Sequence, residues 1–439
     1  MNIPFSPPFI DQTVIDQVVQ SLQDKWITTG PKVKSLEEEI VKLTDSDAAV
    51  CVNSWTSGAI LMLKWFGIKE GDEVIIPAYT YCATALSVLH CGAIPVMVDI
   101  SDDFCIDPEK VRNAITSKTK VIIAVDIAGW PCNYTELKAI IRDPEVNNMF
   151  TAESEKQELL GRILLIADAA HSIGATYDGL SSAKMSDITI FSFHAVKNIT
   201  TAEGGCICLN LPPTFNATAE YEYLKIYTLN GQNKDALAKS KGGGWRYDIL
   251  FQGLKINMPD ICAAIGLAQI KKYSNELLPL RKEIASKYCE GLGQMEWFIK
   301  PPLQDDERES SHHLFPLRVL GITETQRDQI IDDLAQLGVA ANVHFIPMPM
   351  LTYFKNLGYR IEDYPVAYKQ YSCEISLPIY PQLSDSEIQF IIESVIATVE
   401  IQLNKPSVEE VESKKIKKTR RVNIPTLVDV STRVFGYGH

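Results

Sequence analysis

Short runs of apolar and β-branched residues recur along the first half of the chain and alternate with longer segments of helical character. These runs are Ala48–Asn53, Glu73–Pro77, Pro95–Ile100, Lys120–Asp126, Ile163–Asp168, Ile188–Phe193 and Gly205–Leu209. Strands that are apolar throughout are typical of a sheet covered on both faces, and alternation with helices favours parallel strands. The sequence therefore predicts an α/β fold with a mostly parallel central sheet.

The chain is too long for one core. It has 439 residues, and a single hydrophobic core stops growing at about 250–300 residues. The alternation of strands and helices ends near residue 271, where a long helix leads into an α+β region. We predict a large domain over residues 1–270, a smaller α+β C-terminal domain over 271–403, and a charged tail over 404–439. The tail is predicted to be solvated or partly disordered, with docking or assembly as the alternative.

Composition excludes several classes of protein. The 55 acidic side chains outnumber the 42 basic ones, which argues against nucleic-acid binding. A phosphorylated ligand stays possible, because a helix N-terminus can bind phosphate locally. The ten cysteines include no C-x-x-C pair and no zinc-like cluster, so we predict no metal site and a reducing compartment. Without a signal peptide or an apolar run of about 18 residues, we expect a cytoplasmic protein with no membrane partner.

Polar side chains stand at the ends of the predicted strands, where an open parallel sheet binds its ligand. Asp168 closes one strand and is followed by His171. Ser192 ends another strand, and Lys197 follows it among small and polar residues that include Gly204 and Gly205. Taken singly, each has a plain alternative: Asp168 as a helix cap or turn residue, His171 as a structural residue, and Lys197 as a solvated lysine.

Two further turns complete the set. Thr56 and Ser57 lie in a turn that follows the first strand and opens a helix, where hydroxyls and backbone N–H groups can hold a phosphate; simple N-capping would suit this turn equally well. Tyr81 follows the second strand and could stack on a flat ligand, although an aromatic there is more often part of the core.

Together these side chains meet the needs of pyridoxal 5'-phosphate (PLP). This cofactor requires a lysine for its aldehyde, an acid at the pyridine nitrogen, donors for its phosphate and a flat group against its ring. These four groups are supplied, in the same order, by Lys197, by Asp168, by the turn at Thr56 and Ser57, and by Tyr81. The sequence thus indicates a PLP enzyme.

With this constellation, the chain resembles the DegT/DnrJ group of sugar-nucleotide aminotransferases, which are fold-type-I PLP enzymes, from about residue 5 to about residue 400. Its lysine segment is most similar to that of the UDP-4-amino-4-deoxy-arabinose aminotransferases. The segments that carry the resemblance are Trp26–Pro31, Gly71–Pro77, Asp168–His171, Ser192–His194 with Lys197, Glu203–Gly205, Asn257–Asp260 with Ala263 and Ala264, Val343–Phe345 and Ser376–Pro378.

The resemblance implies a role for each matching residue. Lys197 bonds to the cofactor aldehyde and then shuttles the proton between substrate carbon and cofactor. Asn257 reaches the phosphate in the neighbouring subunit of a homodimer, whereas Thr29 and His344 approach the sugar nucleotide. The residues implied to hold the cofactor are Thr56, Ser57, Tyr81, Asp168, His171, Ser192, Lys197 and Asn257.

The activity that the resemblance implies is amino transfer from an amino acid, L-glutamate, to a keto group of a nucleotide-linked sugar. The alternatives are an aminotransferase for a keto-cyclitol and a non-catalytic PLP-binding regulatory protein. Relatives that remove a sugar hydroxyl carry histidine in place of the lysine, so Lys197 argues against that reaction. The chain departs from the family pattern at Trp55, where a small residue is common, and at Asp126, where histidine is frequent.

Overall fold

The computed structural model describes residues 2–234 and 245–404. The predicted tail, apart from Asn404, lies outside the described residues. None of the helices in these two stretches combines the length and the apolar character needed to cross a bilayer.

A seven-stranded sheet forms the centre of the molecule, in the order β1-β9-β8-β5-β4-β2-β3. All neighbouring pairs are parallel except the two that β9 makes, so the predicted α/β fold with a mostly parallel sheet is confirmed. The strands are β1 (Ala48–Val52), β2 (Glu73–Pro77), β3 (Ile94–Val98), β4 (Thr119–Val125), β5 (Leu164–Asp168), β8 (Ile188–Ser192) and β9 (Gly205–Leu209), with the short β6 (Thr176–Tyr177) and β7 (Leu180–Ser181) between β5 and β8.

Helices cover both faces of this sheet, which explains the continuous apolar runs. Successive side chains of a strand point to opposite faces, and Val121 and Ile122 of β4 accordingly belong to two different apolar clusters. Cys51, Cys206 and Cys208 are buried in one cluster on the side of β1 and β9, as small apolar side chains. The helices up to this point are α1 (Gln12–Gln23), α2 (Pro31–Thr44), α3 (Trp55–Trp65), α4 (Ala83–His90), α5 (Pro108–Ala114), α6 (Tyr134–Arg142), α7 (Pro144–Met149), α8 (Glu155–Leu160) and α9 (Ala217–Tyr227).

The acidic segment 143–161 lies between α6 and β5. It forms α7 and α8, and its Val146 and Gln157 are buried. The Gln157 side chain donates to the carbonyl of Phe66 at 3.0 Å, so this segment is tied to the end of α3.

A second core lies in the C-terminal part of the chain. The long helix begins earlier than the sequence suggests, with α10 (Asp260–Lys272), and continues through a π-helical turn (Tyr273–Leu277) into α11 (Leu278–Leu292). This helical segment continues through residue 271 and does not itself mark a domain boundary there. The boundary therefore stays a prediction. The later elements are β10 (Phe298–Ile299), β11 (Arg308–Glu309), β12 (Phe315–Val319), α12 (Glu324–Gln336), α13 (Thr352–Asn356), α14 (Pro365–Cys373), β13 (Glu374–Leu377) and α15 (Asp385–Leu403).

The start of the chain belongs to this second core. Ile3 is fully buried in the apolar cluster that also contains residues of β12, β13 and α15, and its backbone N–H donates to the carbonyl of Gly338 at 2.7 Å. From there the chain crosses to the first core, where the side-chain amide of Gln269 in α10 donates to the carbonyl of Phe9 at 2.7 Å. The N-terminal segment therefore bridges the two cores.

Candidate active site

A pocket of about 490 Å³ opens at the carboxyl ends of β1, β5 and β8. These strands point the same way, so the residues that follow them meet at one edge of the sheet. His313, Leu314, His344 and Phe345 of the C-terminal part line the opposite wall. The predicted site residues that line the pocket are Thr56, Tyr81, Asp168, His171, Ser192, Lys197 and His344.

Lys197 lies on a tight turn after β8. Its backbone N–H donates to the carbonyl of His194 at 2.9 Å, and Thr201 closes the loop with a bond to the carbonyl of Phe193. Burial lowers the pKa of Lys197 to about 8, and nearby Asp168 partly opposes this shift. A larger share of its side chain is therefore a neutral amine at neutral pH than for an ordinary lysine.

Asp168 is the last residue of β5 and is 5% exposed. Burial raises the pKa of this carboxyl to about 7, whereas hydrogen bonds to its charged form act against that rise. The hydroxyl of Thr84 in α4 donates to one carboxyl oxygen at 2.9 Å, and the backbone N–H of Ala170 donates to the other at 3.3 Å. Asp168 is thus held in one orientation with its charge partly supported.

His171 has a fixed tautomer. The backbone N–H of Ala128 donates to its Nδ1 at 3.2 Å, so the proton of the neutral ring resides on Nε2. Burial is the main reason that the pKa of His171 lies well below its ordinary value. Its ring lies 4.4 Å from that of His313 and stacks on Phe345 at 5.9 Å.

Ser54, and neither Thr56 nor Ser57, caps helix α3. Its hydroxyl oxygen accepts from the backbone N–H of Ser57 at 3.1 Å, and its hydroxyl donates to that of Ser57 at 2.9 Å. Ser57 is therefore engaged in the cap and does not line the pocket, whereas Thr56 does. The indole N–H of Trp55, at the same helix start, is buried without a hydrogen-bond partner in the described part of the chain.

Tyr81 lies at the mouth of the pocket and is 61% exposed, so the alternative of core packing is wrong for this residue. Its ring lies 5.8 Å from that of Phe345, which places two aromatic rings at the entrance.

Asn257 and Thr29 lie together outside the pocket of a single chain. The Asn257 side-chain amide donates to the hydroxyl of Thr29, and that hydroxyl donates to the carbonyl of Met258 at 2.6 Å. His344, by contrast, lines the pocket, with its ring stacked on Phe5 at 5.3 Å.

Sequence reasoning missed several side chains of this site. Thr84 lies in the first turn of the helix that follows Tyr81, so a search for hydroxyls on that helix could have found it. Phe345 lies in a segment that carries the resemblance but was given no role, whereas His313 and Phe5 come from distant parts of the chain and have no local signal that marks them. Asp126, a departure from the family pattern, is buried behind the site, where its carboxyl accepts from the hydroxyl of Ser172 at 2.6 Å.

The donor set fits PLP. A pyridine nitrogen needs a buried carboxyl, which Asp168 supplies, and an aldehyde needs an amine, which Lys197 supplies. A phosphate needs donors, and the start of α3 offers its backbone N–H groups, the hydroxyl of Thr56 and the unpartnered indole of Trp55. Gly205 allows β9 to lie close to the start of α3, because a Cβ at this position would come within 2.8 Å of the backbone N of Trp55.

Comparison with known proteins identifies the family of this chain. The profile of the DegT/DnrJ/EryC1/StrS aminotransferase family matches residues 8–396. The chain is 37% identical over 398 residues to the uncharacterized protein MJ1066 of Methanocaldococcus jannaschii, covering 89% of this chain and 97% of that protein. It is 34% identical over 400 residues to the spore coat polysaccharide biosynthesis protein SpsC of Bacillus subtilis, covering 90% and 96%.

Solved structures give the same result. Spr1654 of Streptococcus pneumoniae, a provisionally assigned sugar aminotransferase, superposes in its PMP form with a TM-score of 0.88 and 43% identity, covering 92% of this chain and 100% of that one. PseC of Helicobacter pylori, an aminotransferase involved in the biosynthesis of pseudoaminic acid, superposes with a TM-score of 0.79 and 26% identity, covering 91% and 100%. The predicted fold type I and the predicted cofactor are confirmed. The chain belongs to the DegT/DnrJ/EryC1/StrS aminotransferase family and is a PLP-dependent aminotransferase.

Proposed function

We propose that this enzyme transfers the amino group of an amino acid, L-glutamate, to a keto group of a nucleotide-linked sugar, and so makes an amino sugar for polysaccharide biosynthesis. The observation that carries the proposal is one pocket lined by Lys197, Asp168 and His344, in a chain whose relatives include a sugar aminotransferase and a polysaccharide biosynthesis protein. The cytoplasmic location stays a prediction.

Bound PLP supplies an electron sink for the transfer. Lys197 then moves one proton between the substrate carbon that carries the nitrogen and the cofactor, and its lowered pKa favours the neutral amine that can take up this proton. Asp168 keeps the proton on the pyridine nitrogen by accepting a hydrogen bond from it. His171 is neutral and would offer its Nε2–H as a hydrogen-bond donor to the bound cofactor.

A homodimer with shared sites is part of the proposal. Asn257 lies outside the pocket of its own chain, which suits the role of reaching the phosphate in a second copy. The nearby segment also exposes Trp245, Tyr247, Ile249 and Leu250, of which Trp245 is 72% exposed. Adjacent exposed apolar side chains mark an interaction surface, and a second copy of the chain is the partner proposed for it.

The test is an assay of the two half-reactions with the PLP-loaded enzyme. Glutamate should convert the cofactor to its amine form, which changes the absorption spectrum, and a nucleotide-linked ketosugar should restore the original spectrum. The Lys197→Ala variant should bind PLP yet lose turnover by at least about 1,000-fold, because its proton carrier is gone.

The panel should contain the same ketosugar without its nucleotide and a keto-cyclitol. Restoration by the free sugar or the cyclitol, and by no nucleotide-linked sugar, would overturn the proposed substrate. Full turnover by Lys197→Ala would overturn the proposed role of Lys197.

A further inference from the structure

A buried carboxyl stands behind His344. Glu374 opens β13 and is fully buried, as is Ser376 two residues later. Burial of a charge is costly unless the charge is paired or well hydrogen-bonded. The residues to which Glu374 is connected therefore indicate what its carboxyl does.

The carboxyl is connected to the pocket through one hydroxyl. One of its oxygens accepts from the backbone N–H of His344 at 3.0 Å, and the other accepts from the hydroxyl of Ser376. The Ser376 oxygen in turn lies 3.0 Å from Nδ1 of His344. Within the described part of the chain Nε2 of His344 has no hydrogen-bond partner, and the ring lines the pocket.

The direction of these bonds depends on one proton, because a serine hydroxyl has a single hydrogen. When the Glu374 carboxyl is ionised, Ser376 donates to it and accepts from Nδ1–H of His344, which leaves a lone pair on Nε2. When the carboxyl is protonated, it donates to Ser376 and Ser376 donates to Nδ1, so that the histidine proton resides on Nε2. The two states present opposite hydrogen-bonding groups to the pocket.

We propose that Glu374 is a positioning residue that, through Ser376, decides which nitrogen of His344 carries the proton. His344 thereby offers the substrate an acceptor in one state and a donor in the other. A sugar carries both hydroxyl donors and a keto acceptor, so the state of this relay sets how the sugar is held. This inference rests on the proposed placement of the sugar at His344.

The surrounding charges suit such a relay. Burial raises the pKa of Glu374 to about 8, although Arg327 and Arg318 oppose the rise, so the carboxyl changes state close to neutral pH. Burial, together with Lys197, lowers the pKa of His344 to about 3, so the ring stays neutral and only its tautomer changes. The other titratable groups that interact with Glu374 are Tyr79 and Cys373.

The direct test reads the tautomer of His344 by nitrogen NMR of protein labelled at histidine, with the His344 signal assigned from a His344→Gln variant. In the wild-type protein the proton should move from Nε2 to Nδ1 as pH rises through the pKa of Glu374. In Glu374→Gln the amide NH2 replaces the carboxylic O–H, so the proton should stay on Nε2 at every pH. The relay would be overturned if His344 above pH 8 had the same tautomer in Glu374→Gln as in the wild-type protein.

The functional test uses the two half-reactions separately. The KM for the nucleotide-linked ketosugar should change by about tenfold across the same pH range in the wild-type enzyme, the value of one hydrogen bond, and should be constant in Glu374→Gln. The rate with glutamate should be equal in the two proteins. The same pH dependence of KM in both proteins would show that Glu374 does not position the sugar.

Two further variants keep the test decisive. Glu37→Gln is the matched control, because Glu37 is also a buried carboxyl and bonds to Tyr221 and Lys225 outside this pocket. This variant should retain the wild-type pH dependence of KM.

If Glu374→Gln does not fold, Ser376→Ala breaks the same relay and should abolish the pH dependence of KM. If wild-type enzyme uses no nucleotide-linked sugar, the proposed function fails, whereas the NMR result still decides the relay.

Discussion

Two ionisable side chains at the centre of the site are shifted toward neutrality. The pKa of Lys197 falls to about 8 and that of Asp168 rises to about 7, with burial as the main cause in both. Burial disfavours the charged form of either group, so the shifts have opposite directions for an amine and a carboxyl. A lysine that must take up and release a proton benefits from this shift, whereas an acid that must stay charged needs added support.

Thr84 supplies part of that support. In Thr84→Val the shape of the side chain is kept, but the hydrogen bond to Asp168 is lost. We expect the pKa of Asp168 to rise further and the affinity for PLP to fall by about tenfold, since a hydrogen bond to a charged group contributes about 1.5–3 kcal/mol. A titration of ligand-free protein with PLP, followed by absorbance, measures this change.

Ser87→Ala is the control for that variant. Ser87 lies in the same helix and is also buried, but its hydroxyl donates to the carbonyl of Ala83 and does not reach the site. Wild-type affinity for PLP in Thr84→Val would show that Thr84 does not support the charge of Asp168.

Among the elements, the start of α3 has the closest link to the cofactor. Ser54 holds the first turn of this helix in place, and the same turn presents Trp55 and Thr56 to the predicted phosphate site. The hydrogen bond that stabilises the helix thus also fixes the anion-binding groups.

Ser54→Ala should therefore have two effects. The loss of an N-cap costs about 1 kcal/mol of the free energy of unfolding, and the affinity for PLP should fall severalfold because the first turn is less well held. Ser384→Ala removes the cap of α15, away from the pocket, and should cost about the same stability with no change in PLP affinity. Thermal unfolding and PLP titration compare the two; equal PLP affinities would contradict the role of Ser54.

The elements also show why part of the site was predictable. Asp168 and Ser192 end strands whose apolar runs are visible in the sequence, and the edge of the sheet follows from parallel order. His313 and Glu374 lie far along the chain in the second core, and only tertiary packing brings them to Lys197 or behind His344. The strand pattern therefore predicted one wall of the pocket, whereas His344 was expected on the other wall only through the family resemblance.

At the scale of the whole molecule, buried carboxyls make stability depend on pH. The pKa values of Asp168 and Glu374 rise from ordinary carboxyl values to about 7 and about 8. Native protein therefore retains protons that the unfolded chain has already released, so the stability these groups contribute is present at low pH and lost as pH rises through their native pKa values. Between its unfolded and its native pKa value, each group lowers the free energy of unfolding by about 1.4 kcal/mol for each pH unit.

We thus expect ligand-free protein to melt at a lower temperature as pH increases from 6.5 to 8. Glu374→Gln should show a smaller decline, because one of the two contributions is gone. Calorimetry or fluorescence melting at several pH values in one ionic strength makes the comparison. An equal decline in both proteins would show that Glu374 does not hold its proton in the native state.

The burial of Ile3 constrains the order in which the chain can fold. Its backbone bonds to residues 338–340, and its side chain lies in the apolar cluster that also contains residues of β12, β13 and α15, so residues far apart in sequence must meet to close this core. The second core cannot close during translation until α15 has emerged, and contacts so distant in sequence are slow to form. The parallel sheet can assemble first, whereas Ile3 reaches its place only after residues 338–340 have been synthesised.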